Sequence, residues 1–176
     1  MVVSFTHDTV HQRVVFAAGA LERVAEETER LGVNRALVVA TPGSGERLGA
    51  RVAAQLGTRS AGLHAKAVIH VPKAVAEAGL AAARAARADG LIAVGGGSAI
   101  GLAKYIALDT GLPILALPTT YSGSEATPIW GMSDGGRKMT GRDAKVVPRT
   151  IIYDPELTLA LPPDRKSTRL NSSHTD

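Results

Sequence analysis

Short apolar runs alternate with helix-forming stretches along most of this chain, and few folds satisfy that alternation. Ala36-Leu-Val-Val-Ala40, Leu91-Ile-Ala-Val94, Ile114-Leu-Ala-Leu117 and Ile151-Ile-Tyr153 are continuously apolar, and the first is β-branched at its centre. Such runs suit parallel strands buried on both faces, not half-exposed strands with a polar side. Arg13–Phe16 and part of Ser60–Val71 read as two further strands. Between them, helices are expected over Gly19–Leu31, Glu46–Leu56, Pro72–Ala88 and Ala99–Leu108, from apolar residues at helical spacing and from Gly or Pro at the ends. In the first helix, Leu21, Val24, Ala25, Thr28 and Leu31 form the inner face, and Glu22, Glu26, Glu27 and Glu29 are expected to face solvent. The connections are short, so the expected fold class is α/β: a Rossmann-like, mostly parallel sheet flanked by helices.

Composition removes several function classes. The chain of 176 residues has no cysteine, which excludes disulfides, thiolate metal sites and cysteine nucleophiles. Its five histidines, His7, His11, His64, His70 and His174, show no ligand spacing, so no metal site is expected. The net charge of +4 is spread along the chain, and aromatic residues are 3%, poor material for stacking bases. Nucleic acid is therefore not an expected partner. No apolar run approaches the roughly 18 residues of a membrane span, and Met1–His11 lacks the apolar core of a secretory signal. No membrane partner and a cytoplasmic location are the expectation. The densest basic stretch, Arg137 to Arg149, reads as a solvated loop or as a surface that meets an anionic ligand.

Two segments carry chemistry. Gly95-Gly-Gly-Ser98 joins a strand to a helix, where glycines let backbone N–H groups approach a ligand and the helix N-terminus attracts a pyrophosphate. Ser98 either caps that helix or binds a phosphate oxygen. The usual G-x-G-x-x-G spacing is absent. The second segment, Leu117 to Pro128, begins where a strand ends and offers the hydroxyls of Thr119, Thr120, Tyr121, Ser122 and Ser124, with Glu125 as its one acid. Hydroxyls there suit ribose, phosphate or adenine edges, or ordinary turn chemistry. Lys138 stands ready for a phosphate or ribose, and with Arg137 for an anionic substrate.

The runs LIAVGGGSAIGLAKYIA (91–107), LALPTTYSGSEATPIWG (115–131) and GGRKMTGRDAKVVPRTIIYDPELTL (135–159) resemble the maleylacetate reductases, members of the iron-containing alcohol dehydrogenase-like superfamily. The resemblance covers roughly residues 5 to 163. It implies the N-terminal domain of the dehydroquinate synthase-like and iron alcohol dehydrogenase fold. It also implies hydride transfer from NADH or NADPH to the double bond of maleylacetate, a small dicarboxylate, giving 3-oxoadipate in the catabolism of aromatic compounds. By the same resemblance Gly95, Gly96, Gly97 and Ser98 match the pyrophosphate loop. Thr119 and Thr120 match adenosine-side contacts, Ser124 flanks the nicotinamide ribose, and Lys138 lies near that ribose. Thr41 holds a position where NAD-specific relatives often carry aspartate, so both cofactors are expected to bind. Gly101 replaces the aspartate of the superfamily's GGGS-x-x-D pattern, as maleylacetate reductases tend to, and Ala18 replaces a glycine.

The resemblance places the catalytic residues and the superfamily's metal ligands in a helical C-terminal domain that the chain does not contain, so no metal is expected on it. A homodimer is compatible with the resemblance. The expected organisation is a nucleotide-binding domain over 1–163 and a tail over 164–176. That tail has Leu170 as its one aliphatic residue. It reads as a disordered terminus, or as a sequencing adapter translated in frame after a truncation. Two competing readings are a nucleotide-binding module without catalysis and a metal-dependent alcohol dehydrogenase or lyase relative; Gly101 and the TPIWG run argue against the second.

Overall fold

A computed structural model describes residues 12–159 and 161. Met1–His11, with His7 and His11, lie outside the described residues, as does the tail over 164–176 with His174. Six strands form one parallel sheet: β1 (Arg13–Phe16), β2 (Ala36–Ala40), β3 (Ser60–His64), β4 (Gly90–Gly95), β5 (Ile114–Pro118) and, last in the chain, Thr150–Tyr153. A separate antiparallel hairpin, β6 (Ile129–Asp134) and β7 (Arg137–Arg142), precedes that last strand, which is therefore β8. The spatial order is β1-β8-β5-β4-β2-β3.

Four helices cover the sheet: α1 (Val24–Arg30), α2 (Ser44–Leu56), α3 (Lys73–Ala85) and α4 (Gly97–Thr110). Because side chains alternate across a strand, each central strand feeds two cores. Leu37, Val39, Leu91, Ala93 and Ile114 pack with Ala76 and Ala83 of α3 and Leu102 and Ile106 of α4. Val38, Ala40, Ile92, Val94, Leu115 and Leu117 pack on the other side with Val24 of α1 and Val52 and Leu56 of α2. The continuous apolar runs are explained by these two cores, since β2, β4 and β5 are buried at every position.

The connection from β2 runs over the α2 face to the edge strand β3, whereas that from β4 runs over the α4 face to β5. The sheet thus reverses its winding between the adjacent strands β2 and β4. At such a reversal the flanking loops part and leave a crevice at the carboxyl ends of the strands.

Three sequence expectations change. The helix expected over Gly19–Leu31 is a 3₁₀ turn, Ala20–Arg23, leading into the shorter α1. Its entry is fixed by Asp154, whose carboxylate accepts from the backbone N–H groups of Gly19 (3.1 Å) and Leu21 (3.0 Å). Glu27 is fully buried, not solvent-facing. It accepts from Arg13 Nε at 2.6 Å and Nη2 at 2.9 Å, and from Arg23 Nη2 at 3.3 Å, because the open edge beside β1 lets two arginines reach inward. Finally, the basic stretch, read as a solvated loop or as a surface for an anionic ligand, contains the strand β7. Gly135 (φ 53°) and Gly136 (φ 82°) supply the two left-handed residues that a tight hairpin turn demands. No helix among the described residues is long and apolar enough to cross a membrane.

Candidate functional site

A cavity of about 980 Å³ lies at the carboxyl end of the sheet, between the N-terminus of α4, the hydroxyl-rich segment after β5 and the β6–β7 hairpin. Gly97, Ser98, Thr120, Ser124 and Lys138 line it, together with Ser122 and Thr140. Ile69, Val71, Ile129, Trp130 and Met132 add an apolar wall. One cavity thus offers donors for an anion, hydroxyls for a polar ring and a surface for an apolar one.

The first turn of α4 forms because Gly96 is its N-cap in extended backbone (φ −89°, ψ −158°) with no side-chain cap. Ser98 is already the second residue of the helix, so its hydroxyl does not cap and faces the cavity instead. The leading backbone N–H groups of a helix have no carbonyl one turn earlier to meet, and α4 directs them to the crevice end of the sheet.

Gly95 and Gly96 stand behind the lining. Gly95 has φ 141°, backbone that favours glycine. A Cβ at Gly96 would sit 2.6 Å from Thr120 Oγ1, and one at Gly97 3.5 Å from Ser122 Cβ. The glycine loop and the hydroxyl segment are therefore in mutual contact, also tied by the Thr119 N–H donating to Gly95 O at 3.1 Å. Thr41 follows β2 at the neighbouring strand end, against Gly45 of α2, and does not line the cavity. Neither Thr119 nor Arg137 is among the lining residues, whereas Lys138 is.

Three buried or half-buried polar residues join the site: Lys104 and Tyr153, which the sequence does not single out, and Glu125, marked there only as the one acid of the hydroxyl segment. Lys104 of α4 is fully buried and lines the cavity. Its Nζ donates to Thr127 O at 2.7 Å, Ile129 O at 2.8 Å and Thr127 Oγ1 at 3.3 Å. Burial lowers it to about 8, and the charge of Glu125 opposes that shift. Glu125, also buried, accepts from Tyr153 OH at 3.0 Å and from Ser122 Oγ at 3.5 Å. Burial, with Glu125 beside it, raises Tyr153 to about 12. Lys104 does have a weaker signal: it is the one charge in the apolar stretch Gly97–Leu108, and a charge on a helix buried nearly all round must find partners.

His70 (φ 63°) and Val71 (φ 44°) hold left-handed backbone on the cavity's edge, a conformation costly for a β-branched residue. Val71 O accepts from Ser133 N–H at 3.1 Å, which attaches the hairpin to this strained segment. His64, at the end of β3, is held below its ordinary value by burial and then by Lys66. Among the described residues no group of three or more His, Asp or Glu side chains comes together to hold a metal ion. The described residues therefore do not fit an iron site.

The chain is thus a doubly wound α/β domain whose glycine loop, hydroxyl segment and basic hairpin surround one cavity at the carboxyl end of the sheet. Residues 11–155 match the family model for iron-containing alcohol dehydrogenase, and the chain belongs to that family. It is 50% identical over 163 residues to the maleylacetate reductase of Sphingobium indicum, covering 91% of this chain and 45% of that protein. It is 56% identical over 151 residues to the maleylacetate reductase of Burkholderia cepacia, covering 85% and 42%. The solved maleylacetate reductase of Agrobacterium tumefaciens superposes with a TM-score of 0.91 at 42% identity, over 94% of this chain and 46% of that one. The chain thus spans less than half the length of the curated relatives it matches.

Proposed function

We propose that the chain is the cofactor-binding part of a maleylacetate reductase that uses NADH or NADPH. The observation that carries this reading is the contact between Gly96 and Thr120, which leaves no room for a side chain at the crevice where α4 begins. Roughly 50% identity to proteins named maleylacetate reductase supports the substrate class.

In this reading the backbone N–H groups of Gly97 and Ser98 and the Ser98 hydroxyl bind the diphosphate, which Gly95 and Gly96 allow to approach. Thr119 and Thr120 lie on the adenosine side and Ser124 by the nicotinamide ribose. Thr41, carrying no charge, tolerates either a 2′-hydroxyl or a 2′-phosphate. Lys138, on the hairpin, offers a cation to the ribose region or to a carboxylate of the substrate. Ile129, Trp130 and Met132 exclude water from the reacting end. When bound, reduced nicotinamide would supply the hydride, and with one proton the carbon–carbon double bond of maleylacetate would be saturated to give 3-oxoadipate and the oxidised cofactor. In the whole enzyme, residues 1–163 form the cofactor domain, and a helical domain that follows supplies the groups that polarise and protonate the substrate. The reading also carries a cytoplasmic location.

The test has two arms. Fluorescence titration of the chain with NADH and NADPH is expected to saturate with both, and binding of neither up to about 1 mM, a free energy of roughly −4 kcal/mol, overturns the cofactor assignment. A fusion of residues 1–163 to the second half of the Sphingobium indicum relative is expected to oxidise NADH when maleylacetate is added. A fusion that binds NADH and does not turn over maleylacetate overturns the substrate assignment.

A further inference from the structure

Gly97, Gly101 and Lys104 recur at helical spacing on one face of α4, and all three line the cavity. The glycines leave the face bare, and Lys104 reaches from it to the opposite wall. Its three hydrogen bonds all land on Thr127 and Ile129, the residues that lead into β6. No described carboxylate lies within ion-pair distance of its Nζ, so the lysine spends its donors on backbone carbonyls and a hydroxyl. An ammonium has three donors, and this geometry uses three.

The hairpin is seated on the α3/α4 core through Met132, which is buried, and Trp130, which packs beside it, and its polar attachments are few. Lys104 grips its base. At the start of α3, Pro72 bridges to Ser133, and Lys73 Nζ pairs with Asp134 at 3.2 Å. The hairpin belongs to no other sheet, because β6 and β7 pair only with each other. Upstream of Thr127 the same segment is held by Glu125, through Tyr153 and Ser122, and by Gln12, whose Nε2 donates to Glu125 O at 2.9 Å. Of the polar anchors among the described residues, only Lys104 comes from the helix whose N-terminus forms the facing wall.

We propose that Lys104 is a positioning residue that sets the width of the ligand cleft, by fixing the β6–β7 hairpin and its Lys138 relative to the first turn of α4. The inference rests on the function proposed above. Replacing Lys104 leaves the six-stranded sheet intact, because the strands are held by their own ladders and two apolar cores. The hairpin then moves away from α4, and a ligand that bridges Ser98 and Lys138 loses one of its two walls.

The experiment compares Lys104→Met, which keeps the volume and removes the donors, with Lys104→Arg, which keeps donors toward both carbonyls. NADH titration and amide hydrogen exchange are read on the full chain. Lys104→Met is expected to weaken NADH by about tenfold, the size of one lost net hydrogen bond to a charged group. Amides of residues 129–142 are expected to exchange about tenfold faster by the same arithmetic, while β2, β4 and β5 keep their protection. Lys104→Arg is expected to restore hairpin protection and most of the affinity. Unchanged hairpin exchange in Lys104→Met overturns the proposal. So does exchange that accelerates across the sheet as well, or a variant that fails to fold, since either makes Lys104 a residue of the core. If the unaltered chain binds no NADH, the function proposed above fails, and the exchange arm still decides the anchoring.

Discussion

Gly96→Ala is the smallest change that tests the cradle. Gly96 has extended backbone, φ −89° and ψ −158°, that any residue adopts, so alanine there brings no backbone strain. The whole effect comes from the added methyl. It would lie 2.6 Å from Thr120 Oγ1, 2.9 Å from Cγ2 and 3.3 Å from Cβ. Ordinary carbon contacts begin near ~3.5 Å, so Thr120 must retreat by close to an ångström into the cavity it lines. Overpacking of this kind costs about 1–3 kcal/mol. The lower end applies here, since Thr120 is only half-buried and has room to turn. The displaced side chain then occupies the place proposed for adenosine. NADH affinity falls by about tenfold or more, because the Thr120 hydroxyl is turned away from the cofactor and its methyl obstructs the approach. Thr120→Gly removes all three clashing atoms. The double variant Gly96→Ala/Thr120→Gly is therefore expected to be more stable than the sum of the singles by about 1 kcal/mol, in a urea double-mutant cycle. Two results refute the reasoning: additive stabilities, which deny the contact, or wild-type NADH affinity in Gly96→Ala, which denies that the cradle faces the cofactor.

Three further outcomes are expected. Asp154 is buried and accepts from Gly19 N, Leu21 N and Glu156 N at 3.0–3.1 Å, so Asp154→Ala orphans three donors and should cost about 3 kcal/mol in urea unfolding. A cost under about 1 kcal/mol contradicts that role. Thr41→Asp is expected to weaken NADPH at least about tenfold while leaving NADH within about threefold, through one like-charge contact, read by fluorescence titration; equal losses for both cofactors place Thr41 away from the 2′ position. Stability should depend on alkaline pH with two opposite signs. Lys104, lowered from 10.5 to about 8, binds its proton more weakly folded than unfolded, so its contribution is absent below about 8 and grows as pH rises to 10.5. Tyr153, raised from 10.0 to about 12, contributes fully below pH 10 and loses that contribution as pH rises through about 12. Tyr153→Phe should therefore flatten the fall of the urea midpoint between pH 10 and 12, and a fall as steep as wild type refutes the Tyr153 assignment.

How much of the fold and site is legible in the sequence follows from what kind of force places each element. The sheet is readable because burial on two faces writes itself as unbroken apolar runs: β2, β4 and β5 lie where Ala36–Ala40, Leu91–Val94 and Ile114–Leu117 put them, to within a residue at either end. The glycine loop is readable because a strand, three glycines and a helix in succession leave one geometry. The hairpin escapes although Asp134-Gly135-Gly136 is a strong turn signal. Its strands, IWGMSD and RKMTGR, are half-buried or exposed at nearly every position and carry no clean alternation to announce them. Basic charge there looks like a solvated loop because a two-stranded ribbon lying on the edges of α3 and α4 buries little.

The residues that sequence places wrongly or overlooks share one property. Glu27, Lys104, Glu125 and Asp154 are polar, buried and each satisfied by at least one partner outside its own element. Asp154 meets Gly19, and Gln12 meets the Glu125 carbonyl, across more than a hundred residues in each case. Periodicity reads only what a residue does to its own element, so it assigns such groups to the surface by default. Yet these groups fix the segments that the apolar cores reach at only one or two residues, or not at all: the turn into α1 (Ala20 and Leu21), the hydroxyl loop and the hairpin (Met132). Those are the parts proposed to contact ligand, or to carry the parts that do. A loop that must face a cavity cannot bury its own apolar side to stay in place, because the cavity takes that side. It is held instead by a few directed bonds from beneath, each costly to desolvate and valuable only when fully satisfied. A buried lysine or carboxylate under a polar loop, on an otherwise apolar element, is therefore itself a pointer to where the ligand sits.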